Sequence, residues 1–177
     1  MAAKKRIGIL TSGGDCAGLN AALRAVVFTA SRLGWEVIGI EDGTTGLLVS
    51  PMRYKVLTRD MFDTTVMRLG GTILGTTNKG NPFHFQMPDG SYKDLSEDII
   101  AGIKSLNLDA LIGIGGDGSM EILRKVAQRG KFNLIGIPKT IDNDLGRTES
   151  SLGFETATFV ATEALDRLQP PAASHDR

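Results

Sequence analysis

Short apolar runs alternate with helical stripes along most of this chain. Residues 6–11 (Arg-Ile-Gly-Ile-Leu-Thr) form a strand-like run that stops at Ser12-Gly13-Gly14-Asp15, after which Leu19, Ala22, Leu23, Val26, Val27 and Ala30 recur at helical spacing. Glu36 to Ile40 again reads as a strand, and Leu95, Ile99, Ile103 and Leu106 form an amphipathic helix leading into the apolar run Ala110 to Ile114. A second glycine turn follows at Gly115-Gly116-Asp117-Gly118. Behind it Ile122, Leu123, Val126 and Ala127 suit a helix, Leu134 to Ile137 a strand, and Phe154, Ala157, Ala161, Leu165 and Leu168 a last helix. The alternation predicts an α/β protein, a three-layer αβα arrangement around a mainly parallel, Rossmann-like sheet covered on both faces. Residues 42–94 are less regular, and Met87-Pro88-Asp89-Gly90 reads as the tip of a hairpin or surface loop.

Composition narrows the class without naming a chemistry. The 177 residues are 41% apolar, with 20 basic against 20 acidic side chains, enough for one compact domain and lacking the basic footprint of a nucleic-acid binder. No run approaches the roughly 18 apolar residues of a membrane span, and no signal-peptide pattern opens the chain, so a cytoplasmic location is expected. The single cysteine, Cys16, excludes an internal disulfide, and with two histidines any metal site would have to use carboxylates. Cys16 lies in the first glycine turn, where a helix start can lower a thiol pKa, but no partner nearby in sequence marks it as a nucleophile.

The 22 glycines cluster where strands end and helices begin, which in open α/β sheets is where ligands bind. Thr11-Ser12-Gly13-Gly14-Asp15 lets backbone approach an anion while N–H groups at the next helix start point toward it. Taken alone it fits equally well a tight turn without a ligand, and it lacks the Gly-Lys-Ser/Thr ending of a P-loop. Gly115 to Ser119 places Asp117 between glycines at the end of an apolar strand, suited to hold Mg²⁺ beside phosphate oxygens or to cap the next helix. Pro138-Lys139-Thr140-Ile141-Asp142-Asn143-Asp144 is the most chemical segment. If it runs extended, Asp142 and Asp144 project to one side, one as base toward a hydroxyl and the other on metal or orientation, while Lys139 can neutralise a phosphate.

These segments, together with Asn20 behind the first turn and Gly-Gly-Thr-Ile-Leu-Gly at 70–75, resemble the 6-phosphofructokinases in order and spacing over nearly the whole chain. Gly-Gly-Asp-Gly alone is shared with NAD kinases and diacylglycerol kinases; its combination with Thr-Ile-Asp-Asn-Asp is specific. The resemblance implies transfer of a phosphoryl group to the 1-hydroxyl of fructose 6-phosphate, in glycolysis. It makes Asp142 the general base and Asp117 the magnesium carboxylate, with Thr140 and Asp144 touching substrate or ordering the base. Gly13, Gly14, Lys79, Gly116, Gly118, Ser119 and Lys139 would line the phosphoryl donor.

Two positions pull donor choice in opposite directions. Lys139 matches the pyrophosphate-dependent members, whereas Gly118 leaves the space that a nucleotide's α-phosphate needs, so ATP has the edge over pyrophosphate. The alternatives are a pyrophosphate-dependent phosphotransferase and a regulatory or inactive subunit. Residues 1–168 are expected to form the donor-binding domain and 169–177, after Gln169-Pro170-Pro171, the start of a connection to a second, substrate domain. The resemblance further implies a homo-oligomer, dimer or tetramer, at full length, and an isolated fragment without activity. Arg24 is followed by Phe28 where the bacterial enzymes carry a second effector-site arginine, so regulation by the usual bacterial effectors is not expected.

Overall fold

The computed structural model describes residues 4–78 and 80–175. A six-stranded sheet organises them, in the order β3-β2-β1-β6-β7-β8. Its strands are β1 (Arg6–Thr11), β2 (Glu36–Ile40), β3 (Tyr54–Leu57), β6 (Ala110–Gly115), β7 (Asn133–Thr140) and β8 (Leu152–Gly153). All neighbours are parallel except β3, which runs antiparallel to β2 at one edge. The helices are α1 (Leu19–Arg32), α2 (Thr45–Leu48), α3 (Ser96–Ser105), α4 (Asp117–Gly130) and α5 (Phe154–Ser174). A small separate hairpin, β4 (Phe85–Gln86) with β5 (Tyr92–Lys93), turns at residues 87–91 as the Pro-Asp-Gly signal predicts.

Alternation along the central strand divides the core. Ile9 of β1 faces Leu19, Leu23 and Val27 of α1, while its neighbour Leu10 faces Ile99 and Ile103 of α3 and Leu123 of α4. Because β1 is buried on both faces it reads as a continuous apolar run, as central parallel strands do. The two-sided cover is incomplete at β6 and β7 on the α1 side. There Ile112 and Ile135 line an apolar groove of about 530 Å³ with Val26, Ala30 and Trp35, and Ile135 is 58% exposed.

Helix α5 leaves the sheet edge with Phe159, Val160, Leu165 and Leu168 all exposed, and none of its residues is buried. The boundary expected at 168/169 falls within this helix, which runs through Pro170 and Pro171 before stopping at Ser174. Trp35 is half-buried against the core and Phe62 is buried within it, whereas Met67 is exposed in a 3₁₀ turn at Val66–Arg68.

The irregular stretch 58–77 is fastened by polar contacts. Asn20, 1% exposed in α1, accepts a hydrogen bond from Ile73 N at 2.8 Å and donates from Nδ2 to the Leu69 carbonyl at 3.2 Å. Thr11 at the end of β1 donates to the Gly75 carbonyl at 2.7 Å. Asn20 is therefore a structural clasp for the Gly-Gly-Thr-Ile-Leu-Gly segment.

Candidate active site

The strand order reverses at β1, with β2 on one side and β6 on the other, and the crevice at the carboxyl ends of such strands is where doubly wound sheets bind ligands. Both glycine turns and the Lys139 to Asp144 segment emerge there. Ser12 N–H donates to the Ile114 carbonyl at 2.9 Å, fastening the first turn to β6. Gly13 takes φ 85°, a left-handed conformation that glycine adopts without steric cost. Its N–H donates to the Thr77 carbonyl at 3.0 Å and its carbonyl accepts from Thr76 Oγ1 at 2.6 Å, so the backbone groups of Gly13 itself are taken by the 72–77 segment while the residue still lines a cleft. Helix α1 begins only at Leu19, with residues 14–18 between, so the expected direct feed of the first turn into a helix N-terminus does not occur.

The second turn is built differently. Gly115 ends β6 and Gly116 immediately precedes α4, whose first residues are Asp117, Gly118 and Ser119. A Cβ on Gly115 would lie 2.7 Å from Ser119 Cβ and 3.2 Å from the Ser12 carbonyl, so the close approach of the two turns requires glycine. The first N–H groups of α4 lack intrahelical acceptors, which suits a helix N-terminus to phosphate. Ser119 Oγ faces the first turn, 3.1 Å from where a Cβ on Gly13 would stand. A cleft of about 290 Å³ lies here, bounded by Ser12, Gly13, Thr44, Thr77, Gly118 and Ser119 among others. The apolar groove is larger but sits at the opposite, amino-terminal ends of β1, β6 and β7, away from every polar group discussed here.

Gly118 has no local reason to be glycine. Its φ is not left-handed, and a Cβ there would meet nothing within 4 Å. The space it leaves opens into the cleft. A Cβ on Gly14 would likewise meet nothing within 4 Å, while a Cβ on Gly116 would meet only the Lys139 carbonyl at 3.4 Å.

Beyond β7 the chain is not extended. Asn143 takes φ 52°, which breaks the alternation on which a shared side for Asp142 and Asp144 depends. The two carboxylates differ instead by their partners. Thr140 Oγ1 accepts from Asp142 N and donates to Asp144 Oδ1, both at 3.1 Å, so Asp144 is tied to the threonine. Asp142 is exposed, and its carboxylate makes no hydrogen bond or ion pair among the described residues. Asn143 closes the loop, accepting from Ser151 N at 3.0 Å and donating to the Glu149 carbonyl at 3.1 Å. Asp117 and Asp142 stand beyond the ends of adjacent strands, β6 and β7.

Lys139 is 6% exposed, with its ammonium donating to the Gly14 carbonyl. Among the described residues no carboxylate lies within ion-pair distance of it. A buried cation without a counter-ion fits an anionic ligand. Burial pushes the Cys16 thiol pKa up, with the Lys139 charge opposing, so Cys16 is held as a protonated thiol rather than activated. The other charged site residue expected, Lys79, lies outside the described residues. Among those described, no three His, Cys, Asp or Glu side chains converge on a metal position. Asp117, the first residue of α4, is placed where it could hold a divalent ion together with phosphate oxygens and water, as Mg²⁺ is commonly held. Nor is any described helix long and apolar enough to cross a membrane.

Fold and crevice together define a doubly wound α/β protein whose glycine turns meet at the carboxyl ends of its strands. The phosphofructokinase family model matches residues 6–177, and the chain belongs to that family. It is 65% identical over 174 residues to a Synechocystis protein named ATP-dependent 6-phosphofructokinase 1, covering 98% of this chain and 48% of that one. A Nostoc protein of the same name is 62% identical over 177 residues, covering 100% and 49%. The chain spans about half the length of these curated relatives. Among solved structures, phosphofructokinase from Saccharomyces cerevisiae aligns with a TM-score of 0.78 at 29% identity, over 98% of this chain and 25% of that one. Pyrophosphate-dependent phosphofructokinase from Nitrosospira multiformis shares the fold, with a TM-score of 0.72 at 21% identity over 96% of this chain and 42% of that one.

Proposed function

We propose that this chain is the phosphoryl-donor half of an ATP-dependent 6-phosphofructokinase, which converts fructose 6-phosphate to fructose 1,6-bisphosphate. The observation that supports ATP is the unfilled space at Gly118, beside the first turn of α4 and opening into the cleft. The names of the Synechocystis and Nostoc relatives favour the same donor. Gly13, Gly14, Gly116, Gly118 and Ser119 receive the donor phosphates, and Lys139 and Lys79 add positive charge. Asp117 holds Mg²⁺, which when bound neutralises charge on the donor phosphates.

Asp142 takes the proton from the sugar 1-hydroxyl as that oxygen bonds to the γ-phosphorus, the bond to the β,γ-bridging oxygen breaks, and ADP leaves. Thr140 and Asp144 hold the loop that presents this base. Such transfers depend on positioning and charge neutralisation more than on covalent chemistry. Residues 1–168 form the donor domain and 169–177 begin the connection to a substrate domain that holds the sugar 6-phosphate. The enzyme works in the cytoplasm as a homo-oligomer, dimer or tetramer, and the 177-residue chain alone is inactive.

The test is formation of fructose 1,6-bisphosphate by the protein at the length of its relatives, with Mg²⁺ and either ATP or pyrophosphate. Turnover with ATP alone is expected. Turnover with pyrophosphate alone would make Lys139 the deciding residue, the second reading that its buried charge favours; turnover with neither would indicate a regulatory subunit. Asp142→Asn is expected to lower kcat by about 10²–10⁴-fold with an unchanged melting profile.

A further inference from the structure

We propose that Lys139 is a positioning residue that ties the donor turn to the loop carrying the base, an inference that rests on the phosphotransferase reading above. The need for a tie comes from the strand order. The ends of β1 and β7 are separated by β6, so no ladder hydrogen bond joins them. At about 4.8 Å between neighbouring strands they stand about 10 Å apart. A lysine stem spans most of that gap, and the Lys139 ammonium reaches the Gly14 carbonyl across it.

The tie has little slack at the loop end, because Lys139 adjoins Thr140, whose hydroxyl accepts the Asp142 N–H and whose carbonyl accepts from Ser151 Oγ at 3.0 Å. At the far end of the same loop Cys16 Sγ lies 3.4 Å from the Leu152 carbonyl and 3.2 Å from the Ala17 carbonyl, so its single S–H serves one of the two and adds no firm second brace. The loop is thus pinned to the first turn at its Lys139 end. An ammonium has three donors, so with one on Gly14 two remain for a donor phosphate, and the tie persists when the donor is bound. Lys139 then fixes the spacing between the phosphoryl donor and the base, in addition to contributing charge.

The experiment compares wild type with Lys139→Met, which keeps the stem and removes the donors, in the protein at the length of its relatives. Amide hydrogen exchange is read without nucleotide at Gly13 and Ser151, whose N–H groups are bonded in the structure. Exchange there is expected to quicken about tenfold while β1 and β6 amides are unchanged. In turnover, kcat is expected to fall by about 10²-fold, more than the donor KM rises. Lys139→Arg, which still presents a donor toward the Gly14 carbonyl, is expected to recover protection at Gly13.

Wild-type protection in Lys139→Met would overturn the tie and leave Lys139 a phosphate counter-ion only. Charge restored by Lys139→Arg without restored protection would overturn it as well. Because the exchange measurement needs no turnover, a wild type inactive with every donor would refute the phosphotransferase reading and leave the tie to be judged separately.

Discussion

Replacing Gly118 by alanine separates what this residue does for the fold from what it does for the cleft. Gly118 is the second residue of α4, its φ is ordinary, and an added Cβ meets no protein atom within 4 Å. In the free protein the substitution restricts the unfolded chain without native strain, a stabilisation of about 0.4–1 kcal/mol. For a domain of this size that raises the melting temperature by about 1–4 °C. The methyl group, however, is added at a residue that lines the cleft of about 290 Å³ proposed above to take the donor phosphates. Overpacking of a fitted space costs about 1–3 kcal/mol, so the nucleotide dissociation constant should rise about 5- to 150-fold. Thermal melts without ligand and calorimetric titration with Mg-ATP measure the two effects in one protein. A fall in melting temperature would show that the glycine is structural. Unaltered ATP affinity would show that the donor does not pass this position. Gly118→Asp should be more severe, since a second carboxylate beside Asp117 also repels the phosphates.

Other expectations follow from single contacts. Asn20→Leu removes the buried amide that serves the Ile73 N–H and the Leu69 carbonyl, and should cost about 1–3 kcal/mol in denaturant melts; a cost below about 0.5 kcal/mol would contradict the clasp. Thr140→Val removes the link between Asp142 N–H and Asp144, and should lower kcat about tenfold with little change in melting temperature; equal kcat would assign the hydroxyl no part in presenting the base. The Asp94 pKa is drawn down to about 2 by the Ser96 hydroxyl and Arg129, and that of Glu121 to about 2 by Arg124 and Lys125. Both lie below the ordinary carboxylate range, so their stabilisation is complete above about pH 4.5 and is lost as pH falls toward 2. Melts across that window should show a shallower fall for an Asp94→Asn, Glu121→Gln double variant, and an identical fall would disprove the assignment.

The elements that were legible in the sequence are those whose burial is two-sided or strongly periodic. β1, β2, β6 and β7 announce themselves as apolar runs closed by glycine or polar turns, and α1, α3 and α4 by their stripes. β3 escaped because it is a four-residue edge strand whose inward Lys55 pairs with Glu41 at 2.8 Å and donates to the Ile73 carbonyl, so its pattern resembles a loop. Segment 58–77 has no period because its shape is set by Asn20 and Thr11, dozens of residues away in sequence. At the site, the glycine turns and the Thr-Ile-Asp-Asn-Asp segment were readable as chemistry. The relation between its carboxylates was not, since one left-handed residue, Asn143, reorients the loop. The partner of Lys139 was equally hidden, being a backbone carbonyl 125 positions earlier. The stripe of α5 was visible, but stripes elsewhere mark buried faces and this one is exposed.

The central place of β1 has a consequence during synthesis. β1 pairs with β2 on one side at once, but its other partner, β6, contributes Ala110 opposite Ile7 and Ile114 opposite Thr11. At about 5–20 residues per second, the ribosome takes about 5–20 s to deliver that second partner after β1 has emerged. Throughout that interval a central, largely apolar strand of the sheet has an open edge, the kind of surface that recruits other chains into aggregates. The nascent protein is thus at its most vulnerable before the residues that give it a purpose have been made, and conditions that slow translation between residues 40 and 110 should reduce soluble yield more than those that slow it afterwards.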